Sequence, residues 1–182
     1  MKRTNEFIIY TGCMFAGKTT ALVNEYVKAE KEGANVICVK PALDTRYGIN
    51  EIVTHDGVKV PAKPIGNLQD LKGLTADIIL VDEVQFFPIG ITSIIQKWLR
   101  EGRTVIAAGL DLDYRGLPFE NMERLLPYAT DVFKLMATCD LCGDVAKRSI
   151  RTSGSTNVVE LGASDKYKAV CLRCFNERQA AN

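Results

Sequence analysis

Residues 12–19 form a glycine-rich stretch whose residue types and spacing suit the binding of a triphosphate. The run Gly12-Cys13-Met14-Phe15-Ala16-Gly17-Lys18-Thr19 matches the pattern G-x-x-x-x-G-K-[ST] without a gap. The glycines let successive backbone N–H groups face one anion, and a helix that begins there adds its positive end. Lys18 can place its ammonium on the β- and γ-phosphates, and the Thr19 hydroxyl can ligate Mg²⁺. Because a chance match has a probability on the order of 1% at this length, the stretch predicts nucleoside-triphosphate binding.

Two acids directly follow an apolar run further along the chain. Residues 78–81, Ile-Ile-Leu-Val, predict a buried strand that ends at Asp82 and Glu83. A carboxylate at a strand end beside the phosphate loop can hold Mg²⁺ through water, so we expect Asp82 to be the metal partner. Glu83 can take a proton from the oxygen that attacks the γ-phosphate. The residues alone leave three interpretations open: two solvated acids, an ATPase that activates water, and a kinase that activates a substrate hydroxyl.

Four of the six cysteines fall into two C-x-x-C pairs, Cys139 with Cys142 and Cys171 with Cys174. Four thiolates from two tight turns satisfy tetrahedral Zn²⁺ with no open position, so the predicted metal site is structural. Residues 143–170 separate the pairs. This spacing indicates that the metal holds together the two ends of a long segment of the chain. Unligated core cysteines and a redox pair are the alternatives.

The elements that must position these residues alternate between apolar strands and amphipathic helices. Strands are predicted at short runs of apolar and β-branched residues, namely 7–10, 36–39, 78–81, 104–108 and 131–137. One helix is predicted after the phosphate loop, with Leu22, Tyr26 and Ala29 on one face, and another from Ile91 to Leu99. A hairpin is predicted around residues 56–57, Asp-Gly. Because the strands lack polar alternation, the pattern predicts an α/β fold with a mainly parallel sheet and helices on both faces.

The character of the chain changes near residue 138. Residues 1–138 carry the alternation of strands and helices, and we predict that they form a nucleotide-binding α/β domain. Residues 139–182 contain polar, β-like pieces, a Ser-Gly-Ser turn signal at 153–155 and the four paired cysteines. We predict that this second segment is a small zinc-binding domain.

Length and charge exclude several classes of function. A chain of 182 residues can bury a core without disulfides. With 23 Lys and Arg against 22 Asp and Glu, the net charge is +1, which argues against nucleic acid or an anionic membrane as partner. No apolar run approaches the roughly 18 residues of a spanning helix, and no secretory leader is recognisable at the start. We therefore expect a cytoplasmic protein that binds neither nucleic acid nor membrane.

Taken in order, the motifs resemble those of the type II thymidine kinases, the cytosolic, zinc-containing kind. The resemblance runs through roughly residues 6–175 and rests on residues 12–19, 44–47, 54–55, 82–88, 109–116, 118–119 and 161–167 and on the four paired cysteines. It implies a P-loop NTPase (RecA-like) fold with a small C-terminal zinc-ribbon or lasso domain. It also implies transfer of the ATP γ-phosphoryl group to the 5′-hydroxyl of thymidine, and of deoxyuridine as well, in nucleoside salvage for DNA synthesis.

The resemblance also implies a role for each matching residue. Glu83 is implied to be the general base that takes the 5′-hydroxyl proton. ATP and Mg²⁺ are implied to be held by the loop residues already named, including Thr19, together with Asp44, Thr45, Arg46, Asp82 and Gln85. Thymidine is implied to be held by Phe86, Leu110, Tyr114, Phe119, Val158, Val159, Glu160, Leu161, Gly162 and Tyr167. Residues 158–162 would close over the base, and Zn²⁺ would anchor both ends of that flap.

Members of this family are typically homotetramers inhibited by thymidine triphosphate, so the resemblance implies both properties here. Two residues depart from the family pattern. Cys13 stands where a proline is common, and Tyr114 where phenylalanine is common; Tyr114 keeps a flat ring, but its hydroxyl needs a polar partner. From the residues alone, two other functions stay open: a phosphate-loop ATPase whose zinc segment binds nucleic acid or protein, and a kinase for another small acceptor.

Overall fold

A computed structural model of the chain describes residues 5–45, 48–152 and 166–180. Its strands are β1 (Phe7–Gly12), β2 (Val36–Pro41), β3 (Glu51–Val53), β4 (Lys59–Pro61), β5 (Lys63–Ile65), β6 (Ile78–Val81), β7 (Thr104–Gly109), β8 (Asp131–Leu135), β9 (Ala137–Thr138), β10 (Val145–Ala146), β11 (Arg148–Arg151) and β12 (Tyr167–Val170). Its α-helices are α1 (Lys18–Lys31), α2 (Ile91–Arg100), α3 (Glu120–Leu125) and α4 (Leu172–Ala180).

The central sheet contains six parallel strands in the order β5-β2-β6-β7-β1-β8. The pairs β3–β4, β9–β10 and β11–β12 are antiparallel and lie outside it. The prediction of a mainly parallel sheet is therefore confirmed, and β3–β4 is the predicted hairpin. Because the six strands run in one direction, the carboxyl ends of β1, β2, β6 and β7 meet at one edge of the sheet, where ligands bind in folds of this kind.

Helices and apolar side chains cover both faces of the sheet, as the strand pattern predicts. On one face α2 and α3 pack their buried residues Ile91, Ile95, Trp98, Met122 and Leu125 against alternate residues of the strands. On the other face α1 and the hairpin contribute Leu22, Val23, Tyr26, Ile52 and Val60. In β6, Ile79 and Val81 belong to the first layer and Leu80 to the second. Side chains alternate across a strand, so a strand buried on both faces must be apolar throughout.

The helices α3 and α4 and the strand β5 are not evident from the sequence pattern. The helix α3 has six residues, too few for a clear helical period, and α4 buries only Cys174 and Phe175. The strand β5 has three residues and contains a proline, which fits its position at the sheet edge. The predicted strand 131–137 ends at Leu135, and Ala137 begins β9.

The elements β9–β12 and α4 surround a third apolar cluster, and we call residues 137–152 and 166–180 the cysteine module. Its buried residues include Ala146, Ile150, Ala169, Val170 and Phe175. Cys13 of the phosphate loop belongs to the same cluster. A domain boundary near residue 138 stays a prediction. Within the ranges that the structure describes, no helix combines the length and apolar character needed to cross a membrane.

Candidate active site

The glycine-rich loop connects β1 to α1 at the edge of the sheet where the strands end. Gly12 has φ 137°, and a Cβ atom there would overlap the carbonyl oxygen of Leu135 in β8, so this position requires glycine. Gly17 has φ 81° and directly precedes α1. The Lys18 ammonium turns back and donates to the Cys13 carbonyl with an Nζ–O distance of 2.6 Å. The loop therefore wraps around Lys18 and faces the helix N-terminus, a geometry that suits an anion.

Three carboxylates act electrostatically on the Lys18 ammonium. Burial lowers the pKa of Lys18 from its ordinary value, and the negative charges of Glu83, Asp82 and Asp111 partly oppose that shift. Asp111 also forms an ion pair with Lys134, with an Oδ2–Nζ distance of 2.7 Å. Asp111 lies in the motif 109–116 on which the family resemblance rests, but the sequence predicted no role for it. The site thus combines a desolvated cation with acids from two neighbouring strand ends.

Asp82 lies at the end of β6, opposite Thr19. Its side chain is buried, and both carboxylate oxygens lie 3.5 Å from the Thr19 hydroxyl oxygen. The Asp82 backbone N–H donates to the Val39 carbonyl, which holds the residue against β2. Hydroxyl and carboxylate oxygens are ligands that Mg²⁺ prefers. The residues present therefore fit a magnesium site between β6 and the start of α1.

Glu83 is held in a left-handed backbone conformation, with φ 48° and ψ 44°. Among the described residues, Asn5, Phe15 and Glu83 are the non-glycine residues with positive φ, and two of these three lie in this site. Such a conformation costs on the order of 1 kcal/mol and persists where surrounding contacts enforce it. The Glu83 side chain is half-buried and follows the strand that carries Asp82. Its backbone geometry directs the chain into the turn 84–86.

Gln85 connects Glu83 to the end of β7. Its side-chain Nε2 donates to Glu83 Oε2 at 2.6 Å, and its Oε1 accepts the Leu110 N–H at 3.1 Å. Gln85 is buried, and Gly109 leaves the space that its side chain occupies. The family resemblance assigns Gln85 to the phosphates and metal; in the structure, its amide contacts Glu83 and Leu110. This arrangement fixes the orientation of the Glu83 carboxylate.

Asn121 of α3 stabilises the turn that follows Glu83, and the sequence pattern does not indicate it. Its buried amide donates to the Phe87 carbonyl at 2.7 Å and reaches the carbonyls of Val84 and Gln85 at 3.4 and 3.5 Å. An asparagine in an otherwise amphipathic segment carries no local signal for this contact. Only the packing of α3 against the turn reveals it.

The predicted aromatic residues form two groups of contacts. Phe86 and Phe119 pack edge to face with ring centres 5.7 Å apart. The guanidinium of Arg151 lies 4.1 Å from the ring centre of Tyr114 and 5.2 Å from that of Tyr167. Arg151 also donates to the Tyr167 hydroxyl at 2.7 Å, and both residues are buried. Arg151 thus joins two predicted thymidine residues that lie far apart in sequence, and it was not predicted.

The remaining predicted residues divide into those that are described and those that are not. Asp44 is buried just beyond β2, and its backbone N–H donates to the Pro41 carbonyl, while Thr45 is exposed. Arg46 lies outside the described residues, as do Val158, Val159, Glu160, Leu161 and Gly162. The loop 12–19, Asp82, Glu83, Gln85 and Leu110 are brought together at one edge.

The four paired cysteines converge at a single point in the cysteine module. The sulfur atoms of Cys139, Cys142, Cys171 and Cys174 all lie within 4.8 Å of one another. The Sγ atoms of Cys142 and Cys171 are 3.7 Å apart. Tetrahedral Zn²⁺ with Zn–S bonds of about 2.3 Å places its sulfur ligands roughly 3.8 Å apart, so the donor set and spacing fit zinc. With four thiolates no position is left for a substrate, which supports a structural metal site.

Known proteins resemble this chain over nearly its whole length. A family model described as thymidine kinase matches residues 5–175. A thymidine kinase of Mesoplasma florum is 35% identical over 181 residues, which cover 92% of this chain and 89% of the relative. For a thymidine kinase of Bacteroides thetaiotaomicron the identity is 35%, with coverages of 96% and 88%. For one of Pyrobaculum aerophilum it is 36%, with coverages of 92% and 97%. Since the matches span nearly the whole length on both sides, the chain belongs to the thymidine kinase family.

Proposed function

We propose that this protein transfers the γ-phosphoryl group of ATP to the 5′-hydroxyl of thymidine. The observation that carries the proposal is the position of Glu83, which follows Asp82 at the end of β6 and acts electrostatically on Lys18 of the phosphate loop. A carboxylate in this place has two possible proton donors, water or a substrate alcohol. Membership of the thymidine kinase family supports the alcohol.

The phosphate loop binds the triphosphate in this proposal. Backbone N–H groups of the loop other than that of Met14, which donates to Ser149, and the N-terminus of α1 face the phosphates. Lys18 exchanges its contact with the Cys13 carbonyl for the β- and γ-phosphate oxygens. Thr19 and Asp82 would hold Mg²⁺, which would neutralise charge on the phosphates. Asp44, Thr45 and Arg46 are assigned to the same end of the substrate by the family resemblance.

Glu83 activates the acceptor. Its carboxylate accepts the proton of the 5′-hydroxyl while the hydroxyl oxygen forms a bond to the γ-phosphorus. The bond from that phosphorus to the oxygen shared with the β-phosphate breaks, and ADP leaves with the electron pair. Gln85 keeps the Glu83 carboxylate turned toward the acceptor through its bond of 2.6 Å. Correct orientation of the reacting groups supplies a large part of catalysis in phosphoryl transfer.

The nucleoside binds beside this carboxylate, against the aromatic residues at the strand ends. The family resemblance assigns the base contacts, and the described members of that set are Phe86, Leu110, Tyr114, Phe119 and Tyr167. Rings of this kind give a flat apolar surface that suits a pyrimidine. Residues 158–162 are proposed to complete the pocket, and Zn²⁺ on the four cysteines to anchor the segment that contains them.

The proposal includes four further properties that only the family resemblance supports. They are acceptance of deoxyuridine, assembly as a homotetramer, inhibition by thymidine triphosphate and a cytoplasmic location. Each is separable by experiment from the phosphoryl transfer itself.

The test is the formation of ADP from Mg-ATP by the purified protein, with and without thymidine. A kinase releases ADP only when thymidine is present and produces thymidine monophosphate in equal amount. ADP release at the same rate without any nucleoside contradicts the proposal and indicates an ATPase. Uridine serves as the matched control, because it carries a 5′-hydroxyl but has a ribose sugar and lacks the 5-methyl group.

A further inference from the structure

We propose that the cysteine module positions the phosphate loop for ATP, with Ser149 as the positioning residue and Cys13 as its packing contact. The inference rests on the proposed function in one respect, namely that residues 12–19 bind the triphosphate. It goes further because it gives the cysteine module an effect on the ATP site.

Two direct contacts connect the loop to the module. The Met14 backbone N–H donates to the Ser149 hydroxyl at an N–O distance of 2.9 Å. The Cys13 thiol donates to the Ala146 carbonyl at 3.5 Å. Ser149 belongs to β11 and Ala146 to β10, so two different strands of the module hold two consecutive loop residues. Cys13, Ser149 and Ala146 are all buried.

Cys13 is also part of the apolar core of the module. It is 2% exposed and packs in one cluster with Ala146, Ile150, Val170 and three of the four paired cysteines, Cys139, Cys171 and Cys174. A side chain in the N-terminal loop thus shares a core with residues more than a hundred positions away. The Cys13 thiol also donates to the Ala146 carbonyl, so the side chain adds a polar contact to this apolar packing.

Phe15, which follows Cys13 and Met14, has a strained backbone conformation, so the loop needs support from its neighbours. Phe15 has φ 63°, a left-handed conformation that a non-glycine residue adopts at an energetic cost, and its side chain is exposed. Strain of this kind persists when the residues on both sides are held in place. Cys13 and Met14 are held by the module on one side, while Gly17 and α1 continue the chain on the other. Loss of the Ser149 contact releases one side of the strained turn.

The consequence is a loop that is less well organised for ATP. Removal of one neutral hydrogen bond to a backbone N–H weakens the organised state enough to reduce ATP affinity by about three- to ten-fold. The effect acts on ATP binding in the absence of thymidine, so it differs from any effect of the module on the nucleoside pocket.

The experiment measures Mg-ATP binding by isothermal titration calorimetry, without thymidine, for the wild-type protein and for Ser149→Ala, Ser149→Thr and Cys13→Ala. We expect about three- to ten-fold weaker binding for Ser149→Ala, recovery toward wild type for Ser149→Thr, which keeps the hydroxyl, and weaker binding for Cys13→Ala. Thr130→Val is the matched control. It removes a hydroxyl that accepts the Phe7 N–H at 3.1 Å, at the start of β1 rather than in the loop, and its ATP affinity is expected to stay at the wild-type value.

Each outcome separates the inference from the proposed function. If the wild-type protein does not bind Mg-ATP, the proposed function fails. If it binds, and Ser149→Ala and Cys13→Ala bind equally well with full metal content, the inference is wrong. Metal content and the melting temperature are measured for every variant. If Ser149→Ala loses its metal, Cys13→Ala decides the question, since it leaves the strands of the module intact.

Discussion

Gly109 is expected to maintain the orientation of Glu83 indirectly, through the side chain of Gln85. A Cβ atom at this position would lie 2.5 Å from Gln85 Oε1 and 2.9 Å from a methyl carbon of Val84. Both neighbours are buried, so neither can move into solvent. The substitution Gly109→Ala therefore has to displace the Gln85 amide.

The size of the effect follows from the two hydrogen bonds that this amide makes. Displacement of Gln85 breaks its bond of 2.6 Å to Glu83 and leaves the Leu110 N–H without its acceptor at 3.1 Å. Overpacking of a well-packed site costs about 1–3 kcal/mol of stability. A catalytic carboxylate displaced by about 1 Å loses on the order of 10- to 100-fold in turnover. The affinity for Mg-ATP should change little, because the hydrogen bonds found for the Gln85 side chain go to Glu83 and Leu110 and not to residues 12–19.

The assay is thymidine-dependent ADP release at saturating substrates, with Mg-ATP affinity measured in parallel. Gly66→Ala is the control, since a Cβ atom there meets only Asp70 Oδ2 at 3.8 Å, an ordinary contact. It should retain wild-type turnover. A Gly109→Ala enzyme with wild-type turnover, or one that loses ATP binding and turnover to the same extent, refutes the role given to Gln85.

Three further predictions concern other parts of the site. Arg151→Met should raise the KM for thymidine by about ten-fold with little change in the KM for ATP, because the Tyr114 and Tyr167 rings lose the guanidinium that joins them; equal changes in both KM values argue against this. Cys142→Ser should lower metal content, raise the KM for thymidine and destabilise the C-terminal segment, and a metal-free protein with normal thymidine binding contradicts the prediction. Burial lowers the pKa of Lys18, whereas a bound triphosphate favours the ammonium, so ATP affinity should fall as pH rises through that lowered pKa. Titration calorimetry from about pH 7 to about pH 10 tests this, and Lys18→Arg, which stays protonated, should flatten the profile.

Local patterns in the sequence are sufficient to predict much of the fold and the chemistry. The loop 12–19 is a contiguous motif, Asp82 and Glu83 directly follow an apolar strand, and the cysteines occur in two close pairs. The loop residues and the two members of each cysteine pair are near one another in sequence, and the acids lie at the same end of the parallel strands as the loop. The parallel sheet follows from strands that lack polar alternation.

The supporting contacts could not be predicted in this way. Gln85 with Leu110, Asn121 with Phe87, and Met14 with Ser149 are pairs separated by 25, 34 and 135 positions. Polar residues of this kind produce no hydrophobic period, and their partners are mostly backbone groups that every residue carries. They become visible only when the strands and helices are placed in space. The positive φ of Glu83 and Phe15 is likewise invisible in sequence, since neither residue type favours it.

The central claim is that Glu83 takes the proton of a nucleoside alcohol beside the bound triphosphate. The most direct measurement is single-turnover transfer of radiolabelled γ-phosphate from ATP to thymidine by the wild-type protein and by Glu83→Gln. We predict that the wild-type protein forms labelled thymidine monophosphate, and that Glu83→Gln binds Mg-ATP normally but transfers the label about 10²- to 10⁴-fold more slowly. Transfer at an undiminished rate by Glu83→Gln, or no labelled nucleotide from the wild-type protein, contradicts the claim.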